Sequence, residues 1–308
     1  MLVARRAGRG FRVIDAFSRA TRLGEGVAES GRLTEDAMDR TVEALKQCAA
    51  KLERRGVLLA RHVATEACRR AVNCREFVAR VTEETGIALE IITPEEEARL
   101  ALAGCAPLLD RRVDHAVVFD IGGGSTELMW VRVGGGAAGD AVIEAMASVP
   151  VGVVSLAEQQ GERLESVDGF EAVVARVAAS FAAFDRACGA SLAVAAGSAQ
   201  MLGTSGTVTT LAAVHLGLPR YDRAAVDGLT VSFSSLRRVT RTLVGLDYGD
   251  RALHPCIGDD RVELVLAGCA ILEAICRTWP VGRLRVADRG VREGILFGLM
   301  EDDETVRA

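Results

Sequence analysis

The sequence predicts an α/β fold with two domains, and three observations support this prediction. Segments with strand-like alternation of apolar residues are followed by segments with helical periodicity along most of the chain. Two stretches rich in glycine and hydroxyl side chains, residues 122–126 and 203–207, come directly after apolar segments. The chain has 308 residues, 49% of them hydrophobic, which is enough for more than one core.

The first third of the chain predicts alternating strands and helices, and three helices have recognisable caps. We expect Thr34 to cap the first helix, and Asn73 with Glu76 to form a capping box for the second. Thr93 caps the third helix, where Glu96 is placed for the reciprocal cap bond. The predicted elements are an extended stretch (11–20), a helix (34–56), a strand (58–64), a helix (73–86), a strand (88–92) and a helix from 93.

Glu97 lies one residue further round this third helix and is not needed for the cap. It could point toward a cleft and act as a catalytic acid or base. The alternative is structural, because glutamates are common in the first helical turn, where they interact favourably with the helix dipole.

The rest of the chain predicts a β-hairpin followed by a mainly helical region and a late strand. We expect residues 134–139 to be a loose connection. The predicted elements are hairpin strands (116–121 and 128–133), an extended stretch (141–150), an Ala-rich helix (170–188), a helix (208–216), a buried helix (262–277), a strand (284–287) and a turn (288–294) into the last helix.

The turn of the hairpin has the composition of a phosphate-binding loop. Three consecutive glycines let backbone N–H groups approach an anion closely, and the hydroxyls of Ser125 and Thr126 can donate hydrogen bonds. Asp120, at the end of the preceding strand, can hold a hydrated cation near the phosphates. The alternative is an ordinary Gly-rich turn.

A second Gly and hydroxyl turn, residues 203–207, comes immediately before a helical stretch. Free N–H groups at a helix N-terminus bind phosphate well. A simple Ser/Thr cap explains the same residues equally well.

Composition excludes several classes of protein. The formal net charge of −5 argues against a general nucleic-acid binder, and no apolar run approaches the length of a membrane span. The eight cysteines form no C-x-x-C pair and the four histidines are scattered, so we expect reduced thiols in a cytoplasmic protein and no zinc site.

The two halves of the chain indicate an internal duplication. Leu2 to Gly24 spans 22 positions (24 − 2) and Leu128 to Gly152 spans 24 (152 − 128), with similar order of extended segments. Asp120 lies eight residues before Leu128, so its counterpart in the first half would lie before Met1.

Five motifs, taken together and in order, resemble the exopolyphosphatase and guanosine pentaphosphate phosphatase family. They are residues 64–73, 94–100, 120–127, 203–207 and 288–294. The resemblance implies an actin-like fold of two duplicated α/β domains around an interdomain cleft. Domain I would be residues 1–107, with the last helix, 288–308, packing back on it, and domain II residues 108–287.

The resemblance also implies the roles of site residues. Glu97, directly before Ala-Arg, matches the catalytic glutamate of the family, and Asp120 and Glu127 match metal-site carboxylates for Mg²⁺ or another divalent cation. The implied phosphate-binding residues are Arg69, Gly122, Gly123, Gly124, Ser125, Gly203, Ser205, Gly206 and Thr207.

The activity implied by the resemblance is hydrolysis of terminal phosphoanhydride bonds in polyphosphate or guanosine pentaphosphate, with release of orthophosphate. Two alternatives stay open: an actin-like small-molecule kinase, and a non-catalytic module that binds polyphosphate or nucleotide. We expect no nucleic-acid partner and no membrane partner, and a homodimer is possible.

The sequence departs from the family at both ends. The family begins with a strand and a first phosphate turn of the Asp-x-Gly-[Ser/Thr]-Asn type, which has no counterpart here, so the first domain is expected to lack its initial strand. A start codon assigned too far downstream, or a truncated chain, would explain this. At the C-terminus, longer relatives carry an additional helical domain, for which residues 301–308 are too few, so the sequence is expected to resemble the short two-domain members.

Overall fold

The computed structural model describes residues 1–8, 10–134, 141–258 and 261–307. Strands and helices alternate in it, which confirms the predicted α/β class. In chain order the elements are β1 (Leu2–Ala7), β2 (Gly10–Ala16), α1 (Val27–Ser30), α2 (Glu35–Arg55), β3 (Val63–Ala64), α3 (Glu66–Arg70), α4 (Cys74–Thr85), β4 (Glu90–Ile91), α5 (Pro94–Cys105), β5 (His115–Ile121), β6 (Thr126–Arg132), β7 (Val142–Val149), α6 (Val153–Leu164), α7 (Val167–Ser180), α8 (Ala182–Cys188), α9 (Ala190–Ala195), β8 (Ala199–Thr204), α10 (Gly206–His215), α11 (Arg223–Val226), β9 (Thr230–Ser232), α12 (Phe233–Gly245), α13 (Tyr248–Ala252), α14 (Val265–Thr278), β10 (Arg283–Ala287) and α15 (Val291–Arg307).

The chain divides into two compact units. The first unit is Met1–Gly104 with Val291–Ala308, and the second is Cys105–Gly290. The last helix therefore belongs to the first unit, although almost the whole second unit separates it in sequence from the rest.

The first unit contains two short sheets. β1 and β2 form an antiparallel hairpin, and β3 pairs in parallel with β4. One hydrophobic cluster joins α2 to α4 through buried residues such as Met38, Val42, Phe77 and Val81. A second cluster contains Ile92, Leu100 of α5 and Ile295 of α15.

The second unit is built on a six-stranded mixed sheet in the order β7-β6-β5-β8-β10-β9. β5, β8 and β10 run parallel to one another, and β6, β7 and β9 are antiparallel to their neighbours. The side chains of Val117, Val118 and Phe119 in β5 are fully buried, as expected for a strand at the centre of a covered sheet. This strand positions the glycine turn that follows it.

Tertiary contacts override some of the local predictions. Asn73 does not cap α4 through its side chain; instead its Oδ1 accepts from Leu33 N (2.8 Å) and its Nδ2 donates to Leu33 O (3.0 Å). The predicted strand at 58–64 is reduced to Val63–Ala64, and the helix predicted at 170–188 breaks at Phe181. The predicted connection at 134–139 lies outside the described residues except for Gly134.

Other local predictions are confirmed. Thr34 Oγ1 accepts from Ala37 N (3.3 Å) at the start of α2, and Thr93 Oγ1 accepts from Glu96 N (3.2 Å) at the start of α5. Among the helices within the described ranges, none combines the length and the apolar character that crossing a membrane requires.

Candidate functional site

Four polar residues lie side by side across the sheet of the second unit. Asp120 of β5 pairs in register with Glu127 of β6 and with Thr204 of β8, and Glu127 pairs with Ser148 of β7. Because partners directly opposite in an antiparallel pair have their side chains on the same face, the two carboxyl groups lie on one face of the hairpin. The row stands at the carboxyl ends of β5 and β8, the usual edge for ligand binding in α/β sheets.

Hydroxyl groups stabilise the side chain of Glu127, a residue that is only 3% exposed. Its Oε1 accepts hydrogen bonds from Ser125 Oγ (2.6 Å) and Ser148 Oγ (3.0 Å). A buried carboxylate is costly unless it is hydrogen-bonded, and these two bonds reduce that cost. Ser125, which the sequence predicted to bind phosphate, therefore donates its hydroxyl hydrogen bond to Glu127. Ser148 also contacts Glu127, and the sequence did not indicate this residue as part of the site.

The N-terminus of α6 fixes the glycine turn. Val153 N donates to Gly122 O (3.0 Å) and Val154 N donates to Gly123 O (2.8 Å), while Gly122 N donates to Ser125 O (2.9 Å). Carbonyl groups of the turn are therefore occupied by the helix.

The amide N–H groups of Gly123, Gly124 and Ser125, unlike two carbonyls of the same turn, take no part in hydrogen bonds between described residues. Within the described part of the chain, no protein acceptor meets them. Successive free N–H groups in a tight turn make a concave site for an anion. The structure thus gives the predicted phosphate-binding turn the donors that it needs.

Gly152 is required for this arrangement. A Cβ atom at Gly152 would lie 2.3 Å from the carbonyl carbon and oxygen of Gly123 and 2.4 Å from Gly124 N. No side chain can be accommodated there without displacing the turn, because the obstruction is backbone. In the sequence, Gly152 stood out only as the end of the second span of the internal duplication. Its contact with Gly123 could not be predicted locally, because the two glycines are almost thirty residues apart.

The second predicted turn joins β8 to α10 in the same unit. Ser205 has φ 140 and ψ 166, a region that residues other than glycine rarely adopt, at a cost of about 1–3 kcal/mol. Its Oγ accepts from Val208 N (3.2 Å). Among the described residues, none accepts from the amides of Gly206 and Thr207, which open the helix.

Two further residues determine the surroundings of this turn. Gly203 is buried, and a Cβ there would lie 2.4 Å from Cζ of Phe119, so close packing explains this glycine; its predicted phosphate contact stays a prediction. Arg261 donates from Nη1 to Thr210 Oγ1 (2.9 Å) and lies beside Gly206. The sequence did not single out Arg261, because more than fifty residues separate it from the turn.

In the first unit, Arg69 contacts Glu97. Arg69 Nη1 donates to Glu97 Oε2 (2.8 Å) and to Ile92 O (2.9 Å), and Nη2 donates to Glu66 Oε2 (3.2 Å). The side chains of Arg69 and Glu97 are only 15% and 14% exposed. The glutamate that the sequence selected is therefore held by the arginine that was predicted to contact phosphate.

Glu96 does not make the reciprocal cap bond that the sequence suggested. Its carboxylate instead receives two hydrogen bonds from Arg99 (2.8 and 2.9 Å) and one from Arg61 (3.0 Å). These guanidinium groups, Arg99 foremost, lower the pKa of Glu96 to about 2. Two arginines within reach compete successfully with a single backbone N–H for the same carboxylate.

The acidic pair in the second unit has the chemistry of a divalent-cation site. Like charges directly opposite each other on paired strands are destabilising, and a cation between Asp120 and Glu127 would relieve this. Within the described ranges, no group of three or more His, Cys, Asp or Glu side chains is arranged to hold an ion. Two carboxylates fit Mg²⁺, which usually keeps several waters and shares phosphate oxygens with its substrate.

Comparison with known proteins identifies the family of the chain. The model of the Ppx/GppA phosphatase family matches residues 2–303. A Mycobacterium tuberculosis protein named exopolyphosphatase 2 is 29% identical over 296 residues, which cover 92% of this chain and 88% of that protein.

Solved structures similar to this chain come from the same family or are described as exopolyphosphatase-like. An exopolyphosphatase-like protein superimposes with a TM-score of 0.83 at 26% identity, covering 96% of this chain and 92% of the other. The Aquifex aeolicus member of the Ppx/GppA family gives a TM-score of 0.74 at 27% identity, with 98% and 94% covered. These likenesses confirm the predicted actin-like α/β fold. The chain belongs to the Ppx/GppA phosphatase family.

Proposed function

We propose that this protein is an exopolyphosphatase that removes terminal phosphate from inorganic polyphosphate with the help of a divalent cation. The observation that carries the proposal is the turn after β5, where three amide N–H groups meet no acceptor among the described residues and two carboxylates lie in register on the adjoining strands. Family membership and a relative named exopolyphosphatase 2 support polyphosphate as the substrate.

In this proposal, the turn binds oxygens of the terminal phosphate. The amides of Gly123, Gly124 and Ser125 donate to non-bridging oxygens, as backbone donors do in other phosphate sites. The amides of Gly206 and Thr207, at the start of α10, offer a second set of donors. They follow the neighbouring parallel strand β8, whose Thr204 lies in register with Asp120. Both sets of donors would stabilise the negative charge on the phosphate oxygens as it is redistributed in the transition state.

Asp120 and Glu127 are the residues that would hold the divalent cation. The cation supplies charge neutralisation on the phosphate oxygens. Ser125 and Ser148 orient the Glu127 carboxylate through the hydrogen bonds that their hydroxyls donate to Oε1.

Glu97 is proposed as the general base. It would take a proton from water while the water oxygen forms a bond to the terminal phosphorus; the bridging P–O bond breaks, and the shortened polyphosphate leaves as an anion. Arg69 fixes one oxygen of the carboxylate, so that the other keeps a defined direction. The roles of Glu97 and Arg69 rest on their geometry in the first unit and on their place in the family motifs.

The proposal is tested by orthophosphate release from polyphosphate in the presence of Mg²⁺ and without any acceptor alcohol. Release under these conditions supports a hydrolase, and release that requires an acceptor would instead support a kinase. Guanosine pentaphosphate is assayed in parallel, since hydrolysis of the nucleotide alone would contradict polyphosphate as the substrate. Tight binding of polyphosphate without any release would support the non-catalytic alternative.

A further inference from the structure

Positive charge is concentrated in the hairpin that β1 and β2 form in the first unit. Residues 1–13 contain four arginines and no aspartate or glutamate, although the whole chain has a formal net charge of −5. The other residues therefore sum to −9 (−5 − 4). A basic element in an otherwise acidic chain attracts anions locally, while the protein as a whole repels them.

Two of these arginines lie directly opposite each other. Arg5 of β1 is the antiparallel partner of Arg12 of β2, and both residues are exposed. Directly opposite side chains share a face with their Cβ atoms only about 5 Å apart, so two like charges there are destabilising. In the part of the chain that the structure describes, neither side chain forms a hydrogen bond or an ion pair.

The hairpin of β6 and β7 in the second unit treats its arginine differently. It corresponds to β1 and β2 in the internal duplication that the sequence indicates. There, Arg132 Nε donates to Glu144 Oε1 on the adjoining strand at 2.7 Å. A hairpin of this kind can therefore neutralise an arginine with a carboxylate, whereas β1 places a second arginine opposite Arg5.

The register of the hairpin places Asp15 on the same face as the arginine pair. Val3 and Arg5 are two residues apart in β1, so their side chains point to the same side. Their partners in β2 are Asp15 and Arg12, which must therefore lie on that side too. Asp15 is the one acidic residue in the two strands.

The end of α2 adds two more cations to this face. Lys51 Nζ donates to Asp15 Oδ1 and Arg55 Nε donates to Asp15 Oδ2, both at 2.9 Å. These hydrogen bonds, that of Lys51 foremost, lower the pKa of Asp15 to about 2. Glu53 lies two residues from both cations, and residues two apart on a helix do not face each other. One carboxylate thus faces four cations, and we call Arg5, Arg12, Lys51 and Arg55 the basic face.

The surroundings of the basic face select one kind of polyanion. Proteins that bind single-stranded nucleic acid stack the bases on aromatic side chains. The one aromatic residue of the two strands, Phe11, packs instead on Phe297 with the ring centroids 5.0 Å apart. A membrane surface would also require apolar side chains that insert, and the strands end at the turn in Ala7 and Gly10. A polyphosphate chain has neither bases nor an apolar part, and cations suffice to bind it.

We propose that the basic face binds inner phosphates of a long polyphosphate chain and anchors the polymer while its terminal phosphate is removed at the catalytic residues. The choice of ligand rests on the proposed function. Guanidinium groups bind phosphate oxygens through paired, charge-assisted hydrogen bonds, and a bound chain relieves the repulsion between Arg5 and Arg12. Anchoring raises the effective concentration of the chain end, so the protein should prefer long chains.

The test compares the binding of long-chain polyphosphate by the parent chain and by the double variant Arg5→Gln/Arg12→Gln. Calorimetry is performed in EDTA, which withholds the cation required for hydrolysis. We expect at least about tenfold weaker binding, and a slope of log K against log salt that is smaller by about 2, because two phosphate contacts are lost. With Mg²⁺, KM for long chains should rise by at least about tenfold, whereas kcat and the hydrolysis of triphosphate should change little.

Two further double variants serve as controls. Arg75→Gln/Arg176→Gln removes the same charge from exposed positions on α4 and α7, and should leave the binding and its salt dependence unchanged. Arg5→Lys/Arg12→Lys keeps both charges on the basic face. It should retain the salt dependence of the parent chain, because this term depends on charge rather than on side-chain shape.

Four results would overturn the anchor. They are unchanged binding by Arg5→Gln/Arg12→Gln, an equal loss in the control Arg75→Gln/Arg176→Gln, an equal loss in the lysine variant, and competition by single-stranded DNA or phosphatidylserine vesicles as effective as that by polyphosphate at the same phosphate concentration. A parent chain that binds polyphosphate through the basic face but releases no orthophosphate would contradict the proposed function and still support the anchor.

Discussion

The guanidinium of Arg69 donates a hydrogen bond to Glu97 Oε2 at 2.8 Å, and both side chains are largely buried. Arg69 is itself oriented by Ile92 O and Glu66. A carboxylate with one oxygen fixed has fewer orientations than a free one, so the bond defines where the second oxygen points. The hydrogen bond connects α3 to α5 and orients a carboxylate in the first turn of α5.

Replacing Glu97 by Gln removes the proposed base with almost no change in volume. Orthophosphate release should fall by about 10²–10⁴-fold, the usual contribution of a general base. Binding of polyphosphate, measured by calorimetry, should change little. Glu95→Gln is the matched control, because Glu95 lies exposed in the same helical turn. Equal activity of the Glu97 variant and the control would remove Glu97 from the mechanism.

Replacing Arg69 by Ala should reduce kcat by about 10²-fold, since the Glu97 carboxylate loses its orientation. The free energy of unfolding should also decrease by about 1–3 kcal/mol, because Ile92 O and Glu66 lose their donor. The neighbouring Arg70→Ala, whose nearest contact with Glu66 is 3.8 Å, should do neither. A change confined to KM would indicate that Arg69 serves only to bind substrate.

Asp120→Asn tests the proposed cation site without relying on activity. Calorimetry with Mg²⁺ alone should show at least about tenfold weaker binding, since one of two carboxylate ligands is lost. Asp114→Asn, an exposed acid just before the same strand, is the control. Identical Mg²⁺ binding by both variants would place the cation elsewhere.

Gly152→Ala tests whether α6 positions the glycine turn. The added methyl group would meet the backbone of Gly123 and Gly124, so we expect unfolding to become easier by at least about 2 kcal/mol and phosphate binding to weaken. Gly161→Ala in the same helix meets nothing within 4 Å and should be stabilising by about 0.5–1 kcal/mol. A stable and fully active Gly152 variant would show that this packing is unimportant.

Glu96 gives a dependence of stability on pH. Because the pKa of Glu96 is lowered from 4.5 to about 2 in the folded protein, its stabilisation is complete above about pH 4.5 and is lost as the pH falls toward 2. The magnitude should be below about 1 kcal/mol, since Arg99 is exposed and solvent screens the pair. Denaturant unfolding of Glu96→Gln and the parent chain should therefore differ at pH 7 and converge near pH 2. A constant difference would exclude this ionisation as the cause.

The sequence predicted elements of the fold correctly where they depend on contacts between neighbouring residues. The caps at Thr34 and Thr93, the hairpin around the glycines and the strand before the last turn depend on neighbouring residues, and the structure confirms them. Asn73 was assigned wrongly because its partner, Leu33, lies forty residues away.

Within the candidate site, the sequence indicated residue types but not their neighbours. The register that places Ser148 beside Glu127, the fit of Gly152 against the turn and the approach of Arg261 to Gly206 all arise from tertiary packing. At Phe181, where the predicted helix breaks, the buried ring stacks on the distant Trp279 with the ring centroids 5.8 Å apart. A periodicity of apolar residues contains no information about these distant partners.

The central claim is that the turn after β5 binds the terminal phosphate of the substrate. A crystal structure of the Glu97→Gln variant with Mg²⁺ and triphosphate tests it most directly, because slow turnover should preserve the ligand. We predict phosphate oxygens within hydrogen-bond distance of the amides of Gly123, Gly124 and Ser125, with the cation on Asp120. Triphosphate bound at any other place, with these amides facing only solvent, would contradict the account.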